Sequence, residues 1–285
     1  MELLIHETIH TLKHTSTLFP FLFLTYLAME YLEHKAGKKT IAMLLGAGRK
    51  GPVVGGLLGA VPQCGFSAAA ASLYSGGVIT VGTLLAVFLS TSDEMLPILI
   101  SQRVDVKTIL LILGAKAVAG VIAGILVDIA VKTLHKGEKR TFHIHEMCER
   151  DHCHCEKENI FISALIHSVQ IIVFIFLVTL VVNYTIGKVG MENVVLAVSS
   201  NPYLGIFLTA LVGLIPNCAA SVAITTLYLE GVLTVGCMFA GLLSCAGIGL
   251  LVLFRTNSNW KKNLQITGML YGISVVFGII AEILF

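Results

Sequence analysis

Charged side chains are scarce in this 285-residue chain, since Asp, Glu, Lys and Arg together make up 13% of the residues whereas 56% are hydrophobic. An average soluble domain carries about 25% charged residues. The net charge of +2 is small and the basic residues are scattered, which excludes a nucleic-acid-binding surface. Together with a mean hydropathy of +0.88, the low charge predicts a polytopic membrane protein.

Three sequence patterns are also missing. The N-terminal stretch has no cationic leader with an apolar core and a cleavage site, so we expect the first span to stay in the membrane. No Gly-x-x-x-x-Gly-Lys-Ser/Thr phosphate loop occurs, which argues against direct ATP hydrolysis. The apolar runs lack the alternation of barrel strands and reach the roughly 20 residues that a transmembrane helix needs. We therefore expect an all-α polytopic membrane protein.

The cysteines are divided between two environments. Of seven, four lie in apolar runs and three crowd one hydrophilic loop. This distribution does not resemble the disulfide framework of a small secreted protein. It indicates reduced thiols or metal ligands.

The chain repeats itself at a shift of 154 positions. Residues 62–82 match residues 216–236 at 11 of 21 positions, and the shared residues include Pro, Cys, Tyr and Gly. The match continues downstream, where Gly124 and Asp128 fall opposite Gly278 and Glu282. We predict a tandem duplication, with an N-terminal membrane repeat at 1–134, a Cys/His-rich loop at 135–158 and a C-terminal membrane repeat at 159–285.

Each repeat contains a Pro-x-Cys motif inside an apolar stretch, "VPQC" at 61–64 and "IPNC" at 215–218. The apolar pieces beside the first motif, 51–61 and 65–75, are too short to cross the bilayer, because a helix of ten residues is about 15 Å long. They form either one broken helix or a re-entrant hairpin. Two longer spans follow, at 78–101 and 107–131.

The basic residues decide between these alternatives. The stretch between the first two segments carries five Lys or Arg in the first half and one in the second half. Between the last two spans, the second half carries more basic residues than the first. By the positive-inside rule, equivalent loops then lie on opposite faces of the membrane. Inverted halves need an odd number of membrane crossings per half. A re-entrant hairpin gives three crossings, whereas a broken spanning helix gives four, so the hairpin is favoured. We predict inverted-topology repeats, Pro-x-Cys tips near the midplane, a cytoplasmic central loop and both termini outside.

At such a tip, proline breaks the helix and leaves polar backbone groups that the membrane tolerates only around a cavity. The alternative is a packing kink beside a buried thiol. The paired motifs favour a substrate site, completed by the polar breaks "FLSTSDEMLP" and "LLSCAGIGLL". The residues predicted to bind substrate are Pro62, Gln63, Cys64, Ser67, Ser90, Asp93, Glu94, Pro216, Asn217, Cys218, Ser221, Ser244 and Cys245.

Carboxylates inside a span are expensive and usually handle ions or protons, so Asp93 and Glu94 are candidates for both roles. The alternative is that the span ends early and both are interfacial. Asp128 and Glu282 lie near predicted span ends, where we expect a solvated or headgroup position. We interpret Cys237 as a packing residue.

The loop "HKGEKRTFHIHEMCERDHCHCEKE" concentrates imidazole and thiol groups, which bind soft and borderline metals. Its spacing is not that of a standard zinc finger, so it predicts metal capture without naming the metal. The alternative is a solvated linker. The predicted metal ligands are Cys64, Cys218, Asp93, Glu94, His143, His145, Cys148, His152, Cys153, His154 and Cys155.

The stretch "GPVVGGLLGAVPQCGFSAAAASLYSGGVITVGTLLAVFLSTSDEMLPILIS", with "LIPNCAASVAITTLY" and "HCHCEKENIFISALIHS", resembles the ten-transmembrane heavy-metal exporters, also called arsenic efflux proteins or manganese transporters. The resemblance implies a bacterial inner-membrane exporter with an inverted duplication. When each hairpin is counted as two short segments, each half has five membrane segments, which agrees with the ten segments of this family.

The sequence thus predicts a secondary transporter that exports an arsenite-like species or a divalent metal such as Mn²⁺, coupled to protons through Asp93 or Glu94. It predicts no resident cofactor and no enzyme activity. Its partners are the lipid bilayer and a small inorganic ion, and a homo-oligomer is left open. The alternatives are a carrier for a small anion or organic solute and an intramembrane enzyme with Cys64 or Cys218 as nucleophile.

Overall fold

The computed structural model describes residues 50–61, 64–92, 95–134, 202–216 and 218–284, with scattered residues within 19–27 and 161–177. Its continuous ranges form ten α-helices and contain no strand. The first half holds α1 Gly51–Gly59, α2 Cys64–Ser75, α3 Val81–Ser90, α4 Met95–Ser101 and α5 Val106–Leu134. The second half holds α6 Pro202–Gly213, α7 Cys218–Leu229, α8 Val235–Ser244, α9 Ile248–Thr256 and α10 Trp260–Leu284.

Within these ranges, four helical segments are long and apolar enough to cross a membrane: Val81–Ser101, Val106–Thr133, Val235–Thr256 and Trp260–Leu284. The all-α polytopic class is therefore confirmed, and the two spans predicted for the first half are present. Two of the four segments, those made by α3 with α4 and by α8 with α9, are interrupted in the middle. This interruption coincides with the polar break predicted in each half.

Short helices flank each Pro-x-Cys motif, as the sequence predicts. Helices α1 and α2 have 9 and 12 residues, and α6 and α7 have 12 each. None reaches the roughly 20 residues of a spanning helix. The connecting residues Pro62, Gln63 and Asn217 lie outside the described residues, so the geometry of the two tips stays a prediction.

The turn from α2 to α3 shows how a shared sequence pattern fixes a shared structure. Gly77 has a φ of +78°, a conformation that glycine adopts without the steric penalty of a side chain. The N–H of Val78 donates to the carbonyl of Leu73 at 2.9 Å, which closes the end of α2. In the second half Gly231 has a φ of +75°, and the equivalent bond, from residue 232 to residue 227, measures 3.0 Å.

Helix α3 packs between α1 and α5, and α8 packs between α6 and α10. Glycines permit this close approach. A Cβ at Gly82 would overlap the carbonyl oxygen of Gly124, and a Cβ at Gly236 would lie 2.6 Å from that of Gly278. Small residues at a helix crossing are typical of membrane proteins, because association there depends on close packing.

Helix α1 shows the corresponding distribution of side chains. Its buried residues are Pro52, Gly55, Gly56 and Gly59, whereas its large apolar side chains are exposed. Small residues therefore face the protein and large apolar ones face outward, as a lipid solvent favours. This agrees with the membrane assignment.

The halves join through a reciprocal pattern of contacts. Helix α2 of the first half packs on α9 of the second, and the equivalent α7 packs on α4. The equivalent pair α3 and α8 also contact each other. Such reciprocal pairing is what a two-fold relation between two bodies produces. The inversion of one half relative to the membrane stays a prediction.

Candidate substrate site between the halves

The two interrupted spans bring polar backbone into the interior. Helix α3 ends at Ser90 before α4 begins at Met95, and α8 ends at Ser244 before α9 begins at Ile248. The residues that follow the two ends, Thr91 and Cys245, are each only 4% exposed. Because the last four carbonyls of a helix lack partners within that helix, each interruption creates acceptors that the protein must satisfy.

Lys116 satisfies acceptors at both ends. Its side chain leaves the middle of α5, is 1% exposed, and donates from Nζ to the carbonyl oxygen of Thr91 and, at 3.0 Å, to that of Leu242. Thr91 terminates α3, and Leu242 lies in the last turn of α8. The negative ends of two helix dipoles therefore meet at one ammonium group, which is the favourable arrangement for a cation.

The sequence predictions did not include Lys116. The signal was present, since "LLILGAKAVAGVIAG" holds one basic residue inside a long apolar run, and such a residue is a functional candidate by default. The equivalent position in the second half is Leu270, which is also fully buried. The two halves therefore differ at this position, because only the first half has an ionisable side chain there.

A small cavity lies beside this ammonium group. The first half contributes Thr91, Ser92, Met95 and Lys116, and the second half contributes Ser221, Leu242 and Cys245. Hydroxyl, thioether and thiol groups therefore surround one cationic group. The cavity does not admit a water-sized sphere, so the two halves pack closely here.

The structure brings two predicted site residues together, Ser221 and Cys245, which line this cavity. It places Ser90 and Ser244 elsewhere, because their hydroxyls donate to the preceding turn, to Ala86 at 2.7 Å and to Gly241 at 2.9 Å. A Cβ on Gly59 would collide with the hydroxyl of Ser90, so this serine faces α1.

Two other predicted residues lie outside the cavity lining. Ser67 is fully buried and packs against α9, where a Cβ on Gly249 would lie 2.8 Å from the Ser67 Cβ. Pro216 follows the end of α6 and is half-buried. Ser92, which was not predicted, donates to the carbonyl of Ala60 at 2.8 Å and holds the break in the first half against the end of α1.

Several predictions fall on residues that the structure does not describe. Cys64 and Cys218 begin α2 and α7, but their side chains lie outside the description. In the described ranges no three His, Cys, Asp or Glu side chains come together to hold a metal. The remaining predicted site residues outside the description are Pro62, Gln63, Asp93, Glu94, Asn217, His143, His145, Cys148, His152, Cys153, His154 and Cys155.

The sequence predicted a solvated or headgroup position for Asp128 and Glu282, and the structure adds a hydrogen-bond partner for each. Both are half-buried and accept a hydrogen bond from a helix N-terminus. Asp128 binds the N–H of Gly82 at 2.9 Å and the hydroxyl of Thr80 at 2.7 Å, and Glu282 binds the N–H of Gly236 at 2.9 Å. The first N–H groups of a helix need acceptors, and a carboxylate also complements the positive end of the dipole.

These features define a class, a polytopic α-helical membrane protein whose interrupted spans meet beside a small, partly polar cavity. A protein-family model described as "Putative, 10TM heavy-metal exporter" matches residues 8–177. The chain belongs to this family of heavy-metal exporters, as its sequence resemblance indicated. No curated protein and no solved structure matches it.

Proposed function

We propose that this protein is a secondary transporter that exports a heavy-metal or metalloid ion through a site between its two halves. The observation that carries the proposal is the small cavity lined by Ser92 and Lys116 from one half and by Ser221 and Cys245 from the other. Transporters built from two repeats bind substrate where the repeats meet and move one against the other. A cavity whose walls belong to both halves fits this scheme.

The second Pro-x-Cys motif lies near this cavity in the chain. Ser221 follows Cys218 by three residues in α7, which corresponds to about 4.5 Å along a helix axis. This proximity supports Cys218 as a ligand that the substrate meets as the cavity opens. Cys64 holds the equivalent position at the start of α2. Thiol and thioether groups, including those of Cys245 and Met95, suit soft ions.

Asp93 and Glu94 are the proposed proton carriers. They stand in the chain between Ser92 and Met95, both of which line the cavity. A carboxylate within a membrane span is suited to release and rebind a proton as the cavity changes its access. Proton entry on one side would then drive substrate exit.

The proposed setting is the bacterial cytoplasmic membrane. The reversed bias of basic residues supports inverted halves, with both termini outside and the 135–158 loop in the cytoplasm. There the loop would collect the ion before export, because its thiols stay reduced in that compartment. The cluster from His143 to Cys155 would raise the local concentration of substrate at the entrance.

The experiment compares cells with and without the full chain, challenged in turn with As(III), Mn²⁺, Zn²⁺, Cd²⁺ and Cu. The proposal predicts that one of these elements accumulates less when the protein is present. Cys218→Ser and Asp93→Asn should abolish this difference at equal protein level. Cys237→Ser is the matched control, since Cys237 is buried in α8 and does not line the cavity. Unchanged contents for all five elements would contradict export of these ions.

One observation favours a second function, a carrier for a small anion. Lys116 places a positive charge beside the cavity, as an anion site requires. This function predicts that deletion of the Cys/His segment from 143 to 155 and the Cys218→Ser substitution leave transport unchanged. Loss of transport in either variant would favour the exporter of a thiol-binding ion.

A further inference from the structure

Two equivalent pairs of helices join the halves, α2 with α9 and α7 with α4. The shift of 154 positions relates one pair to the other, so that Ser67 corresponds to Ser221 and Gly249 corresponds to Met95. The two pairs are not packed equally. Helices α2 and α9 are in extensive contact, whereas α7 and α4 make far fewer contacts. We call these contacts the α2–α9 interface and the α4–α7 interface.

The α2–α9 interface is closed along its length. Near the break that precedes α9, Gly249 lets the two helices approach, since an added Cβ there would lie 2.8 Å from the Cβ of Ser67. At the other end of the two helices, the hydroxyls of Ser75 and Thr256 are 2.7 Å apart, and Thr256 is buried. Helices α2 and α9 therefore run in the same direction and stay together to their outer ends.

The α4–α7 interface differs at the equivalent positions. Ser221 and Met95 both line the small cavity, so the cavity lies at the inner end of this interface. At its outer end stands Gln102, which corresponds to the buried Thr256 but is exposed. The equivalent interfaces therefore have two different degrees of closure in one structure.

The two interfaces lead to opposite ends of α5. Helix α2 is followed by the start of α3, where the N–H of Gly82 donates to Asp128 near the end of α5. Helix α4 is followed by a short turn to the start of α5 at Val106. The 29 residues of α5 are about 43 Å long, more than the hydrocarbon core. The α2–α9 interface therefore reaches the membrane face where the 135–158 loop begins, the loop face, and the α4–α7 interface reaches the opposite face.

We propose that the two interfaces are alternating gates, and that the exported ion leaves between α4 and α7. The α2–α9 interface closes the path to the loop face in this structure. In the alternate state the contacts exchange. There Gln102 contacts Leu229, and the equivalent contact, between Thr256 and Ser75, opens. Two repeats that rock against each other around a fixed site produce such alternating access. The proposal rests on the proposed export function and adds an exit route to it.

One position shows how the second gate differs from the first. Gly249 has no side chain, whereas the equivalent Met95 has a long thioether side chain that is buried. Methionine is flexible and fills irregular gaps. The Met95 side chain can therefore change its conformation as α4 and α7 approach, so this gate closes on a side chain where the first gate closes on glycine.

The test measures how fast Cys245, which lines the cavity, reacts from each side of the membrane. The full chain is studied in right-side-out and inside-out membrane vesicles. Protease cleavage within 135–158 identifies the vesicles that present the loop face. A small, membrane-impermeant thiol reagent is added, and mass spectrometry of the peptide that contains Cys245 gives the rate.

Two double variants hold one gate closed. Oxidation of Ser75→Cys with Thr256→Cys closes the α2–α9 interface, and oxidation of Gln102→Cys with Leu229→Cys closes the α4–α7 interface. The disulfide in each is verified on its own peptides. The four single variants under the same oxidation are the controls, since they have the same substitutions and no lock.

We expect wild-type Cys245 to react faster from the opposite face than from the loop face. The disulfide between residues 75 and 256 should preserve this preference. The disulfide between residues 102 and 229 should change the ratio of the two rates by at least about tenfold in favour of the loop face, because a lock removes one of two states.

Three results would overturn the proposal. Wild-type Cys245 could react faster from the loop face, the pair at residues 102 and 229 could form no disulfide at equal protein level, or its disulfide could leave the ratio unchanged. If this double variant does not accumulate in the membrane, the wild-type preference decides alone. Vesicles that show the change in ratio but carry none of As(III), Mn²⁺, Zn²⁺, Cd²⁺ and Cu would refute the export of these ions and leave the two gates in place.

Discussion

The carboxylate of Asp128 lies at the N-terminus of α3, where it accepts a hydrogen bond of 2.9 Å from the backbone N–H of Gly82. Glu282 makes a bond of the same length to the N–H of Gly236 at the start of α8. In each half the carboxylate is 46 residues away from the amide that it caps. The last helix of each half thus fixes the start of an interrupted span, which positions the break that borders the cavity.

Replacing Asp128 should therefore loosen the start of α3. Loss of a capping acceptor costs about 0.5–2 kcal/mol, and we expect Asp128→Ala to fall in this range, since the carboxylate also complements the helix dipole. Asp128→Asn keeps an acceptor and should cost less. The measurement is the thermal unfolding midpoint of the purified chain in detergent, with amide hydrogen exchange at residues 81–84. Unchanged exchange there in Asp128→Ala would show that the contact does not hold the helix start.

Helices α3 and α5 cross closely at Gly82 and Gly124, and we expect this contact to tolerate no added methyl group. A Cβ on Gly124 would overlap the carbonyl oxygen of Gly82 and lie 2.9 Å from the Cβ of Ala86. Overpacking of this kind costs about 1–3 kcal/mol. We expect Gly124→Ala to lower the unfolding midpoint of the purified chain and to reduce transport, because α3 carries the break next to Lys116.

The same helix offers the matched control, Gly114→Ala. No heavy atom lies within 4 Å of a Cβ added at Gly114, and alanine in place of glycine favours a helix by about 0.5–1 kcal/mol. The midpoint of Gly114→Ala should stay level or rise. Equal losses in the two variants would mean that the crossing does not depend on close backbone approach.

The turns that end α2 and α7 should respond alike to substitution. Gly77 and Gly231 have φ values of +78° and +75°, and a left-handed conformation costs a residue with a side chain roughly 1–2 kcal/mol. We expect Gly77→Ala and Gly231→Ala to lower the unfolding midpoint by similar amounts. Asparagine tolerates this conformation, so Gly231→Asn should lose less. A strong loss at one site and none at the other would argue against structural equivalence of the halves.

The contact between halves can be trapped by a disulfide. The hydroxyls of Ser75 at the end of α2 and Thr256 at the end of α9 are 2.7 Å apart, so cysteines at these two positions would bring their sulfur atoms close together. After oxidation, the Ser75→Cys, Thr256→Cys double variant should keep its halves joined when a protease cuts an introduced site within residues 135–158. Each single variant serves as a control, and separation of the halves in the oxidised double variant would contradict this packing.

The helices could be predicted from the sequence better than the contacts between them. Hydrophobic run length and the Pro-x-Cys interruption were enough to predict the long spans and the short helices α1, α2, α6 and α7. Gly77 and Gly231 match in the repeat at 154 residues, and both adopt a positive φ, so a local sequence match accompanies a shared local conformation. These features depend on residues close together in the chain.

The cavity could not be predicted from the sequence, because the residues that form it are far apart in the chain. Lys116 and Leu242 are 126 positions apart, and no local pattern shows that a lysine in one half reaches a helix end in the other. The hydrogen bonds of Asp128 and Glu282 were not predicted for the same reason, since their partners start another helix. Whether the Pro-x-Cys tips face each other stays a prediction, because their side chains lie outside the described residues.

The most direct test of a substrate site between the halves is the alkylation rate of Cys245 in inside-out membrane vesicles, read by mass spectrometry of the peptide that contains it. Cys245 lines the cavity, whereas Cys237, one turn into α8, does not. A saturating concentration of the exported ion should slow alkylation of Cys245 at least severalfold and leave Cys237 unchanged, and alkylation of Cys245 should block transport. Full transport after complete alkylation of Cys245, or the same rate with and without the ion, would contradict a site in this cavity.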